Sequence, residues 1–429
     1  TTAGSIVISG ENQSEILRLA PLSKLTLKNI HLKKGAGKNG GAITNEGTLI
    51  LDNCRISEST ATGNGGGLFN GTTGVVTMNA TSIDRNEAED NGGGIANFGT
   101  MDCLNSTVSR NVSTGEGGGI YTNEATLNLT QVTIAENRGN GALTLAGGTT
   151  EINFSTISAN SGGHGLSFSR GTQNTMIFNS SVVSGNHGFN SSQFVFPPSN
   201  GDGFYYADGD PFLAPLGHYG GPTETMPPLP GSPLVDAGGT TPWTNDQRGG
   251  ARTLGTASDL GACEAGAFPD IEPNLIASPL VTTLSDAKAN NDGTLSLRKA
   301  IALSEPGSVI TFAPELAGGT SNLERGEFLI LRPLTINAGD PDHRITFKAN
   351  QRSRFFNVPA SGNGALTLQS LKMIEGGNGE EGGGAILSFN ALSLYDCMFD
   401  SNSSFFGGAI NLSGSNGFLF AERCHFTNN

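Results

Sequence analysis

Two aliphatic registers run in step through the first 190 residues, and few folds can hold them both. The first comprises Ile43, Leu68, Ile95, Ile120, Leu143 and Leu166, spaced 25, 27, 25, 23 and 23. The second comprises Ile56, Ile83, Val108, Ile134, Ile157 and Val183, spaced 27, 25, 26, 23 and 26. Three residues after each member of the second register stands a polar residue: Ser59, then Asn86, Asn111, Asn137, Asn160 and Asn186. Composition alone does not keep two registers and an asparagine in phase, so a structural unit of about 25 residues is repeating.

Within a unit, stretches such as "LNLTQVTI" alternate with strand period and are rich in β-branched residues, with glycine or asparagine between them. Three short strands and three turns fill one unit, which predicts one coil of a right-handed parallel β-helix. Successive coils would stack about 4.8 Å apart, with equivalent side chains forming ladders. A leucine-rich horseshoe needs Leu-x-x-Leu-x-Leu signatures, which are missing, and a propeller needs longer four-stranded units. The asparagines suit a turn column, because Asn tolerates left-handed backbone and can bond its ladder neighbours. The Gly-Gly-Gly runs suit corners too tight for a side chain.

Composition agrees with an all-β solenoid. Glycine supplies 63 of 429 residues, while only 14% are charged. The net charge of −14 disfavours nucleic acid or an anionic membrane as partner. No apolar run spans a bilayer and no signal peptide opens the chain, so membrane insertion is not expected. The opening "TTAGSIVISG" reads as a strand inside a fold, as in a mature product or a piece of a longer one. Cys54, Cys103, Cys263, Cys397 and Cys424 show no CxxC spacing, which points to small buried thiols and leaves a disulfide open.

The repeat lapses after about Asn190 into a Pro/Gly-rich stretch that closes at Phe268, and "PDIEPN" reads as a linker. Asp292 or Thr294 would then cap a short helix over 296–304 with Leu297, Ala300 and Ile301 on one face, acting as a lid on the following coils. From residue 344 the chain restarts: "LTLQSLKMIEGGNGEEGGGAI" matches "LTLKNIHLKKGAGKNGGAI", with Ile43 and Cys54 mapping to Ile386 and Cys397 at an offset of 343. The expected organisation is a β-helix over 1–192, a closing module over 193–268, a linker over 269–276, a cap with first strands over 277–343, and a second β-helix copy over 344–429.

Two segments resemble known bacterial surface modules. "LSLRKAI", residues 295–301, resembles the CSLREA-type N-terminal motif through Ser296, Leu297, Arg298, Ala300 and Ile301, with Leu295 and Lys299 in place of its Cys and Glu. "DPFLAPLGHYGGPTETMPPLPGSPLVDAGG", followed by "DQRG" and "DLGACEAGAF", resembles the choice-of-anchor Q domain over about 60 residues. The resemblance implies secretion and display on a bacterial cell surface, with no reaction attached. Here the closing domain is followed by another opening motif rather than an anchor.

A search for chemistry assigns no catalytic, cofactor-binding or metal-binding residue and calls for no cofactor. Gly163-His164-Gly165 is a tripeptide seen in polygalacturonase-like enzymes, whose other shared motifs this chain lacks; a glycine corner holding a histidine explains it. Inverting hydrolysis needs two carboxylates roughly 6.5–9.5 Å apart, and Glu87, Asp90 and Glu116 fall near one another in coil phase, though as turn acids of an acidic protein. Asp202, Asp208 and Asp210 offer oxygens for calcium without EF-hand spacing. Sequons at Asn70 and Asn128 are expected by chance in so Asn/Ser/Thr-rich a chain. Arg248 is expected to pair with Asp246 or with turn carbonyls. The reading is a non-catalytic structural subunit or tandem segment of an extracellular surface fibre or adhesin. Its expected partners are identical copies joined head to tail, and surface glycans. The alternative is a carbohydrate-active β-helix enzyme or a glycan-binding module.

Overall fold

Every pairing between strands in the computed structural model is parallel among the described residues, which are 6–169, 171–186, 204–206, 210–286, 293–360, 363–378 and 382–429. The result is an all-β chain whose strands form a parallel solenoid of about 15 turns. It divides into two units, one of Thr1–Ala207 with Leu216–Glu272 and one of Asp208–Pro215 with Pro273–Asn429. No helix is long and apolar enough to cross a membrane.

Three faces wrap the first unit. A nine-stranded face carries Ile56, Ile83, Val108, Ile134, Ile157 and Val183 in unbroken register. A twelve-stranded face carries Leu17, Ile43, Leu68, Ile95, Ile120, Leu143 and Leu166 in another. Beside that ladder runs a second column, Leu51, Met78, Cys103, Leu129, Ile152 and Phe178. A five-stranded face built on Ala36–Gly37, Thr60–Ala61, Glu87–Ala88, Val112–Glu116 and Arg138–Asn140 closes the coil. The three ladders meet in one buried aliphatic core, whose removal from water is the main stabilising term.

The turns differ from expectation in an instructive way. The left-handed residue is not the ladder asparagine but the one before it: Glu58, Arg85, Arg110, Glu136 and Ala159 all have φ of 54–58°. A second left-handed column, Asn29, Asn53, Ala80, Asn105, Gln131, Phe154 and Ser180, separates the long strands of the twelve-stranded face from the nine-stranded one. Gln131 therefore breaks "LNLTQVTI" into two strands. These conformations cost non-glycine residues about 1–2 kcal/mol each, and coil stacking offsets it. In most of them the N–H donates to a carbonyl one coil on, as Ala80 does to Leu104 O at 3.1 Å and Gln131 to Asn153 O at 2.9 Å. In two coils a corner is absorbed into the strand, since Ile120–Thr130 and Leu143–Asn153 each run eleven residues with left-handed Glu124 and positive-φ Gly147 and Gly148 in their middles.

The glycine corners are steric requirements. A Cβ on Gly66 would lie 2.3 Å from Gly93 O, and one on Gly93 would lie 2.4 Å from Gly118 O. The stack also continues past residue 190: Phe204–Tyr206 pairs in parallel with Ser181–Val183, one strand beyond where the sequence pattern fades.

In the second unit, six-, five- and four-stranded parallel faces enclose a core richer in phenylalanine, including Phe328, Phe347, Phe355, Phe356 and Phe399. Ile386 lies buried between Phe356 and Ile410 in register. The helix spans Leu297–Leu303 and is capped by Ser296, whose hydroxyl accepts from Lys299 N. Thr294 does not serve as cap, and Asp292 lies outside the described residues. Leu297, Ala300 and Ile301 face the core as the pattern requires, beside the edge strand Leu280–Val281. Arg298 is held by both oxygens of Asp286, at 2.8 and 3.0 Å, and stacks 4.6 Å over Phe328.

Candidate functional site

The asparagine column is a closed hydrogen-bond circuit. Asn86, Asn111, Asn137 and Asn160 each donate Nδ2 to the Oδ1 of the next member at 2.8–3.0 Å, and each Oδ1 also accepts the preceding backbone N–H. The remaining amide hydrogens reach carbonyls of the coil before, such as Ile83 O from Asn111 at 2.9 Å. A second buried ladder, Asn45–Asn70–Asn97, runs at 2.8 Å per step; it escaped sequence reading because its members sit two residues after the aliphatic register. Asn70 is therefore a core residue, and its sequon is inaccessible to a glycan-transferring enzyme.

The residues singled out for chemistry are dispersed. In the strand ladder Glu87 stands between Thr60 and Val112. Glu116 accepts a 2.6 Å hydrogen bond from Ser169, and Asp90 is exposed. The glycine after His164 packs on the asparagine column, where a Cβ on Gly165 would lie 2.4 Å from Asn186 Nδ2. Of the three acids that offer oxygens for calcium, Asp202 and Asp208 lie outside the described residues, and Asp210 is paired with Arg332. Among the described residues no group of three or more His, Cys, Asp or Glu is placed to hold a metal ion.

Residues 216–268 run along the flank of the nine-stranded face. Its outward threonines are the docking sites. Gln247 is the central pin: its Nε2 donates to Ser106 O, Thr107 Oγ1 and Thr223 Oγ1, each at 3.0 Å, and its Oε1 accepts from Thr133 Oγ1 at 2.6 Å. One coil further, Thr156 Oγ1 accepts from Ala262 N at 3.0 Å. Arg110 joins the segment by both guanidinium ends to Glu224, at 2.5 and 3.0 Å, and also meets Glu136 at 2.8 Å. Inside the segment Arg248 has both kinds of partner the sequence offered: Asp246 at 2.7 Å and the Glu264 carbonyl, with Glu272 besides. Burial pushes the carboxyls of Asp259 and Glu264 above their ordinary values.

Between this segment and the solenoid lies an open cleft of about 510 Å³. Its floor is the left-handed column at Ala80, Asn105 and Gln131, and its walls include Leu104, Pro222 and Trp243–Gly249. Trp243, the chain's one tryptophan, packs edge-on to Phe154, the next residue of that column, with centroids 5.7 Å apart. Arg252 covers the Phe154 ring at 4.6 Å, so the indole rests on a fixed support.

No protein-family model matches this chain, and no curated protein does. A solved structure of a PL6 family alginate lyase, AlyGC, is similar at 14% identity and a TM-score of 0.25, covering 98% of this chain and 77% of that one. A likeness that loose assigns no chemistry, and the fold rests on the pairings described above.

Proposed function

We propose that the chain is a scaffold segment of an extracellular bacterial surface structure, in which β-solenoid units follow one another in series and function as a fibre or adhesin without catalysis. The observation that supports this is a set of coil features that returns at one offset of 343 residues. Ser59 N donates to Asn86 Oδ1 at 3.0 Å, and 343 residues later Asn402 N donates to Asn429 Oδ1 at 3.0 Å. The same offset relates buried Ile43 to Ile386, buried Cys54 to Cys397, and the corner Gly40 (φ 67°) to Gly383 (φ 70°). Tandem solenoid copies in one chain suit an extended, load-transmitting element whose units join head to tail. The resemblance to CSLREA and choice-of-anchor segments supports a place at the cell surface.

The experiment is imaging of the native secreted material. Filaments with an axial repeat set by about 340 residues, of order 50 Å of coil stacking plus the intervening module, support the proposal; discrete globular particles would end it. The lyase likeness fits the second reading, a carbohydrate-active β-helix, but is too loose to weigh. Depolymerisation of alginate or pectin by the purified chain, abolished on changing Glu87, Glu116 or His164, would establish that reading instead.

A further inference from the structure

The cleft beside Trp243 has the attributes of a binding site for an uncharged sugar chain. Its floor presents Asn105 and Gln131 one coil apart, about 4.8 Å along the stack, close to the length of one extended sugar residue. At its far end stands an indole held in place by Phe154. Flat apolar rings with adjacent amides are the groups that recognise pyranose faces and their hydroxyls, the one by stacking and the other by hydrogen bonding.

Gln131 supplies the second, independent observation. The residue is only 2% exposed, yet its Oε1 has no hydrogen-bond partner. A buried acceptor left unmade costs about 1–3 kcal/mol, and a hydroxyl donor entering the cleft would satisfy it. Charge narrows the ligand. The ionic side chains along the wall, Asp246 and Arg248, are spent on each other at 2.7 Å with no side-chain exposure. The cleft therefore offers no free cation to a uronate or sulfated glycan, and the protein's net charge of −14 repels both.

We infer that this cleft binds a neutral oligosaccharide along the solenoid axis, with Trp243 stacking on one sugar ring and Gln131 and Asn105 bonding hydroxyls of the next. The site extends the scaffold reading by giving it an adhesive surface, and it stands or falls separately from the axial repeat.

Because Trp243 is the one tryptophan, its fluorescence reports on the cleft directly. The test is titration of the full chain with an array of neutral gluco-, manno-, galacto- and xylo-oligosaccharides, alongside oligogalacturonate and oligomannuronate. The expected result is a saturable shift in Trp243 emission with at least one neutral oligosaccharide. Gln131→Ala should weaken that binding about tenfold or more. Asn105→Gly, which keeps the left-handed backbone, should weaken it less, with the melting temperature of both variants monitored. Trp243→Ala should abolish binding as measured by calorimetry, and Trp243→Phe should retain part of it. The inference is overturned if no neutral oligosaccharide shifts the emission, if only the uronates do, or if binding is indifferent to Gln131→Ala and Asn105→Gly in folded protein.

Discussion

Asn111 and Asn137 occupy adjacent coils, and the Oδ1 of Asn137 accepts both the backbone N–H and the side-chain Nδ2 of Asn111, each at 3.0 Å. Asn111 also donates to Ile83 O and accepts from Asn86, so one side chain ties three coils together. Asn111→Ala should strand buried donors on one side and an acceptor on the other, lowering stability by about 2–4 kcal/mol. Asn111→Asp should do at least as much at neutral pH, since a carboxylate cannot donate to Asn137 or to Ile83. Denaturant unfolding measures both, and a loss below about 0.5 kcal/mol would show that the column is ornamental.

Ile120 has no exposed surface and lies between Ile95 and Leu143. Ile120→Asp should cost at least about 3 kcal/mol by placing an unpaired charge in the continuous core. Circular dichroism melts compare it with wild type. An unchanged transition would remove Ile120 from the core.

Gly66→Ala and Gly171→Ala separate space from backbone conformation. At Gly66 the added carbon meets backbone at 2.3 Å, whereas at Gly171 nothing lies within 4 Å and only a φ of 77° opposes it. The first should be the more destabilising by several kcal/mol, the second costing about 1 kcal/mol. Equal effects in thermal unfolding would contradict the corner geometry.

Asp259 and Glu264 carry pKa values raised by burial in the folded flank segment. The folded state therefore holds these protons more tightly than the unfolded chain does. Their contribution is present below the unfolded values near 4 and is lost as pH rises through the higher folded ones. Local opening of residues 216–268 should become easier from pH 4.5 toward neutrality. Hydrogen exchange at Gly261 and Ala262, which anchor to Ser180 O and Thr156 Oγ1, reads this after correction for intrinsic rates. Protection that rises with pH would reverse the sign.

The five cysteines are free, with Cys54, Cys103, Cys263 and Cys397 buried and Cys424 partly exposed. Burial pushes Cys263 up to about 12, while a hydrogen bond with Cys397 draws Cys424 below the ordinary thiol value. Reaction of the reduced native protein with a thiol reagent at neutral pH should label Cys424 rapidly and the other four only in denaturant. Prompt labelling of Cys103 would mean that the core opens.

The ladders of Ile, Leu and Val and the column beginning at Asn86 were legible in the sequence because stacking forces equivalent side chains to recur at coil period. What the pattern hid depends on chemistry between neighbours. The left-handed columns accept Glu, Arg, Ala, Gln and Phe, because the turn is held by backbone hydrogen bonds to the next coil rather than by residue type. The Trp243 cleft was illegible for a different reason. Its two walls lie more than 100 residues apart in sequence, and only the docking of Gln247 on Thr107 and Thr133 brings them face to face. Thr107, Thr133 and Thr156 do recur at coil spacing, a signal that marks an outward strand position reserved for a covering segment.

The asparagine column also gives the solenoid a direction. Every Oδ1 accepts from the coil before it, and each Nδ2 from Asn86 to Asn160 gives one N–H to the Oδ1 of the coil after it while the other reaches back to a carbonyl, so the Asn-to-Asn hydrogen bonds all run in one sense from Asn86 to Asn186. A column of this kind has a plus sense and a minus sense, as a polar polymer does. Two such columns brought together about a two-fold axis would oppose donor to donor or acceptor to acceptor. In-register continuation satisfies the amides in one orientation alone, which makes the sense of the stack a property of a single repeated side chain.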